Sequence, residues 1–179
     1  MIFRSLKGVG LLFLMFSILF VIASKADEEK IEAKRSGYWT YYCKNFEKER
    51  QCEIARKISI VEKNETFLII YKITKNVNSK VKENFHITTP PADRVNIKKR
   101  IKLSFDNKTK FTKSFLKCEE TGCLSVFKIN RMFKYSMKNY NEMQIIFYGF
   151  EDEDPISLTL PMDGFTQALN DIYEELKSF

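Results

Sequence analysis

The feature that most limits how this chain can fold is an alternation of apolar and polar side chains with period two, repeated in block after block. It runs through "YWTYYC" (38–43), "CEIARKISIV" (52–61), "TFLIIYKIT" (66–74) and "VNIKKRIKLSF" (95–105), and returns at 109–117, 123–129, 143–150 and 156–160. In extended backbone successive side chains point to opposite faces, so each block has one face to bury and one to leave in water. The blocks are rich in Phe, Tyr, Ile and Val, and between them stand turn-like stretches such as "KNFEKER", "EKNE", "KNVNSK", "TTPPAD", "DNKT", "EETG" and "EDEDP". Short strands at this spacing predict a mainly β fold, an antiparallel sandwich or barrel.

Two segments depart from the rhythm. Within "INRMFKYSMKNY" (129–140), Met132, Phe133 and Met137 stand at helical spacing, which suits a short helix or an irregular crossover. Near the C-terminus Phe165, Ala168, Leu169, Ile172, Leu176 and Phe179 follow the i, i+3, i+4, i+7 pattern of an amphipathic helix, with Asp163 placed to cap it. That helix is expected to lie on the sheet.

The chain begins "MIFRSLKGVGLLFLMFSILFVIASKADEEK": Arg4 and Lys7, an apolar run from Gly8 to Ala23, then Ser24-Lys25-Ala26. This is the pattern of a secretory signal peptide, with cleavage expected after Ala26. The competing reading is an uncleaved anchor, against which the run is shorter than the ~20 apolar residues of a spanning helix. No cysteine precedes Cys43, so the signal carries no lipid-attachment cysteine. Cleavage would leave 153 of the 179 residues, enough for one domain over 37–179 after a charged, flexible lead-in at 27–36. It would also lower the net charge from +7 to +4, because Arg4, Lys7 and Lys25 leave with no acid. So small an excess of positive charge does not point to nucleic acid.

Export bears on the four cysteines, Cys43, Cys52, Cys118 and Cys123. In an oxidising compartment an even count reads first as two disulfides. The C-x8-C and C-x4-C spacings fit neither a thiolate zinc site nor a C-x-x-C redox centre. Each close pair brackets a polar turn between strand-like blocks, which favours Cys43–Cys52 and Cys118–Cys123 as staples across two hairpins; pairings between the two halves remain open.

Catalytic signals are weak. His86 is the sole histidine, and no nucleophile elbow accompanies it. After the signal the glycines are Gly37, Gly122, Gly149 and Gly164, none in a phosphate-cradling pattern. The carboxylates Glu151 to Asp154 offer oxygen ligands for a hard cation, but consecutive turn residues splay apart, and a solvated hairpin turn accounts for them. No cofactor or metal is called for.

One cluster suggests a surface. On an extended strand Lys98, Arg100 and Lys102 share one face while Ile101, Leu103 and Phe105 share the other. The stripe suits an anionic surface such as lipid headgroups, or an acidic partner; equally, it would serve as a solubilising strand face. A different reading takes the many aromatic residues as the lining of a small-molecule or lipid cavity between the sheet and the C-terminal helix.

In order, "GYWTYYC", "QCEIARKI", "FLIIYKI", "FTKSFLKCEETGCLSVFKI", "EMQIIFYGF" and "ISLTLPMDGFTQALNDI" resemble the invasion-associated locus B family of alphaproteobacterial envelope proteins over about residues 37–173. The resemblance implies an exported immunoglobulin-like β-sandwich without catalytic machinery, residing in the periplasm or associated with the outer envelope. It would act by binding an envelope protein or an anionic cell-surface component, with peripheral membrane contact as one form of this. It carries over the four cysteines as disulfides and no catalytic residue. The family's name comes from host-cell invasion by one pathogenic member, a role the resemblance alone does not transfer. Where members often have a Gly- and Pro-rich segment between the halves, this chain has "TTPPADRVNIKKRIKLSF", with Pro90 and Pro91 but no glycine.

Overall fold

The computed structural model describes residues 31–60, 65–151 and 154–179. The expected signal peptide and the start of the lead-in lie outside the described residues, as do Asp152 and Glu153 of the acidic turn.

Residues Ile31–Phe179 form one compact unit. Its first five strands are β1 (Lys34–Ser36), β2 (Trp39–Phe46), β3 (Glu49–Ile60), β4 (Glu65–Asn76) and β5 (Val81–Thr89). A hairpin of β6 (Ile101–Phe105) and β7 (Thr109–Lys113) follows, then β8 (Lys117–Glu119) and β9 (Gly122–Lys128), helix α1 (Arg131–Asn139), a second hairpin of β10 (Glu142–Tyr148) and β11 (Pro155–Pro161), and helix α2 (Phe165–Lys177). A large sheet has the order β1-β2-β3-β4-β5-β9-β8 and a small one the order β11-β10-β6-β7, antiparallel throughout. The two meet as a sandwich.

Each sheet buries the residues that the alternation assigns inward. On β4 these are Phe67, Ile69, Tyr71 and Ile73; on β6, Ile101, Leu103 and Phe105; on β10, Met143, Ile145 and Phe147. Phe67 and Phe147 meet across the sandwich with ring centroids 5.0 Å apart. Helix α1 inserts Phe133 among Phe85, Phe105, Phe111 and Phe127, at 4.8–6.0 Å between centroids. Helix α2 lays Phe165 against Trp39 and Tyr71 at 5.2 and 5.4 Å. Each such buried ring contributes roughly 1.5–3 kcal/mol of transfer free energy.

Four sequence expectations need correction. The lead-in becomes ordered before residue 37, because Lys34–Ser36 pairs with Trp39–Tyr41 as β1. The block 95–105 is strand only from Ile101, since Lys98 lies in a turn and Val95 forms an isolated bridge to Gly149. Strand β5 was not among the predicted blocks: Lys82, Glu83 and His86 blur an alternation whose inward members are Phe85, Ile87 and Thr89. Asp163 does not cap α2. The cap is Gly164, at φ 83°, which makes no side-chain hydrogen bond. On α1, by contrast, the Asn130 side chain accepts from the Phe133 N–H at 2.8 Å, a regular N-cap for the segment left open between helix and crossover.

Candidate functional site

Both preferred disulfides form. Cys43 faces Cys52 across β2 and β3, and Cys118 faces Cys123 across β8 and β9, each directly opposite in register and bonded at 2.03 and 2.07 Å. Cys52 and Cys123 are fully buried, so both bridges lie on the inward face of the large sheet, toward its margins. They staple the β2–β3 hairpin and the β8–β9 hairpin, the latter at one edge of the sheet. There are no free cysteines among the described residues.

The cationic stripe is rearranged. Lys102 points outward from β6 and is exposed, whereas Lys98 and Arg100 precede the strand and do not share its alternation. The outer face gains another lysine that the stripe did not include. Ser104 pairs with Lys110 and Lys102 with Thr112, so Lys102 and Lys110 are diagonal neighbours on the outer face of the small sheet. Gln144 and Ile146 of β10 and Thr159 and Ser157 of β11 continue these two rows. Beyond them Lys99 places its Nζ 3.9 Å from the centroid of the outward Tyr148 ring. The acid on the outward positions of these four strands is Glu142, at one end of β10. A hairpin register unites these lysines, and the one-strand pattern could not show it.

A polar cluster inside the domain was not foreseen. Glu83 of β5 accepts hydrogen bonds from Lys134 Nζ of α1 at 2.8 and 3.1 Å, from the Tyr71 hydroxyl of β4 at 3.2 Å, and from the Tyr173 hydroxyl of α2. Lys134 also donates to Tyr173. Burial pushes both tyrosine hydroxyls well above their usual pKa, and the Glu83 carboxylate adds to the shift. Both phenols are therefore protonated donors across the physiological range, and the carboxylate is saturated by three donor groups. The arrangement acts as a latch tying both helices to the sheet.

Further pairs fix α2. Tyr41 donates to Asp171 at 2.6 Å, and this bond, with burial, pushes its pKa up to about 12. Lys34 and Arg50 both meet Glu175 at 2.8 Å, and hydrogen bonding from Lys34 is the main reason the Glu175 pKa is lowered. Lys75 donates to the Leu176 carbonyl at 2.7 Å. The side chain of Phe165, in edge contact with Trp39 and Tyr71, occupies the region that a carrier would keep for cargo between sheet and helix.

His86 lies on the outer face of the large sheet, between Ile70 and Val126 in register. Burial and the charge of Lys72 lower its pKa against an opposing pull from Glu53. No three His, Cys, Asp or Glu side chains converge as a metal site among the described residues. Nor is any helix among them long and apolar enough to cross a membrane.

Comparison with known proteins gives two findings. The family model described as "Invasion associated locus B (IalB) protein" matches residues 39–173. The crystal structure of invasion associated protein b from Bartonella henselae is similar in fold, with a TM-score of 0.66 over 82% of this chain and 98% of that one, at 18% identity. No curated protein matches the chain.

Proposed function

Because the chain belongs to the invasion associated locus B family, we propose that it is an exported protein of the periplasm or outer envelope that works by binding rather than by catalysis. Its target on this reading is an anionic cell-surface component or an acidic envelope protein. The observation that carries the reading is the outer face of the small sheet, where Lys102 and Lys110 lie diagonally adjacent and Lys99 stacks on Tyr148. Among the outward positions of its four strands the acid is Glu142, at one end of β10. Fixed positive charge on a flat face attracts anions at long range and is screened by salt. The single histidine and the saturated carboxylate of Glu83 support the absence of acid–base chemistry. The filled contact between α2 and the large sheet favours surface binding over a carrier.

The test is fractionation of cells expressing the full chain. Wild-type protein should sediment with envelopes at low salt and be released as salt rises. A variant with Lys98, Arg100, Lys102 and Lys110 all changed to Gln should remain in the soluble fraction at every salt concentration. If that variant fractionates as wild type does, the cationic face is not the binding surface.

A further inference from the structure

A second surface lies on the opposite side of the sandwich. Both helices pack on inward residues, α2 through Phe165 on Trp39 and Tyr71, and α1 through Phe133 on Phe85 and Phe127. Neither contact reaches the outer face of the large sheet. There the register aligns Ala55, Ile70, His86 and Val126 in one row across β3, β4, β5 and β9. The adjoining row adds Leu68, which is 37% exposed, and the partly exposed Leu124. An uncharged, mainly aliphatic band thus crosses a sheet face that the alternation assigns to water.

The charges beside this band are unbalanced. Its nearby acids are already engaged: Glu53 by Tyr42 at 2.6 Å, Gln51 at 2.8 Å and Lys72 at 3.9 Å, and Glu119 by Lys117 at 2.7 Å. Lys57 and Lys128, in the rows on either side and toward opposite edges, are exposed and have no ion-pair partner among the described residues. Four strands span about 14 Å, close to the ~10–12 Å width of a helix with its side chains.

We propose that this face docks an amphipathic helical segment of another protein, apolar toward Ile70, Leu68 and Val126 and acidic toward Lys57 and Lys128. A second copy of this chain would bring further unpaired lysines to the face, so charge complementarity selects an acidic partner. The site is separate from the cationic face of the small sheet and does not depend on it.

The probe is a fluorescein-labelled amphipathic peptide of leucine and glutamate, roughly 18 residues long so as to span the face, titrated with the full chain by anisotropy. Wild type should bind it. Ile70→Asp with Val126→Asp should weaken binding at least about tenfold, as should Lys57→Glu with Lys128→Glu. The charge-reversed pair sits on exposed positions and tests the idea even if the core-adjacent pair fails to fold. It should also gain affinity for the matching leucine–lysine peptide, which wild type should bind weakly. The proposal is overturned if both peptides bind wild type alike or if neither pair of changes alters binding. It is equally overturned if phosphatidylglycerol vesicles, rather than the peptide, are the ligand whose binding these changes abolish.

Discussion

The hydroxyl of Tyr173, in the last helix, donates to the carboxylate of Glu83, ninety residues earlier in β5. Lys134 and Tyr71 donate to the same group, so one carboxylate holds α1, α2 and β4 together. Glu83→Gln would leave the part-buried Lys134 ammonium without its counter-charge, and should cost about 2–3 kcal/mol of stability. Tyr173→Phe removes a hydroxyl that donates to Glu83 and accepts from Lys134 but leaves those two charges paired, and should cost about 1 kcal/mol. Urea unfolding of the oxidised protein measures both, and equal stability of Glu83→Gln and wild type would refute the latch.

Gly164 should tolerate no side chain. It adopts φ 83°, and a Cβ there would stand 2.1 Å from the carbonyl oxygen of Ser36, the last residue of β1 before its turn into β2. Gly164→Ala therefore combines left-handed strain of about 1–2 kcal/mol with a backbone clash that can be relieved only by moving α2 or the turn. The expected result is a loss of several kcal/mol, read as a large drop in melting temperature, whereas Asp163→Ala, which removes no cap, should shift it little.

Stability should fall on mild acidification, and His86 should be one cause. Its pKa is lowered in the fold, so the unfolded chain takes up a proton more readily than the native one. The contribution is fully present above the unfolded value of about 6.5 and is lost as pH falls through the lower native value. His86→Gln should flatten the melting temperature measured from pH 7 downward to pH 5. An unchanged slope would mean that other groups carry the acid response.

Removing the bridges should cost comparable amounts. Loops closed by sequence separations of 9 and 5 residues predict about 2–3 kcal/mol each from chain entropy, slightly more for Cys43–Cys52. Paired serine substitutions with chemical denaturation check the size, and a peptide map without reductant checks the pairing.

Much of this was legible in the chain. Period-two blocks gave most strands of both sheets, and the spacing of Phe165 to Leu176 gave α2, because burying one face leaves a local signature. Cysteines bracketing polar turns favoured the two hairpin disulfides over pairings between the halves, and the structure forms them. Strand β5 escaped because its first half is polar and because its Glu83 faces a buried partner set rather than water. The run from Lys98 to Lys102 reads as strand because the alternation set by Ile101, Leu103 and Phe105 can be extended back over Lys98 and Arg100, but there the chain is turning from one sheet to the other.

Local sequence sets the class of the domain and its closing helix and favours the two staples, since each depends on residues close together in the chain. What the tertiary structure decided is which distant residues share a surface. Lys110 joins Lys102, Ile70 joins Val126, and Glu83 collects Lys134, Tyr71 and Tyr173 only once strand order and register are set. Strand pairing is non-local, and a shift of one residue exchanges the two faces of a strand, so no local pattern could have assigned these neighbours.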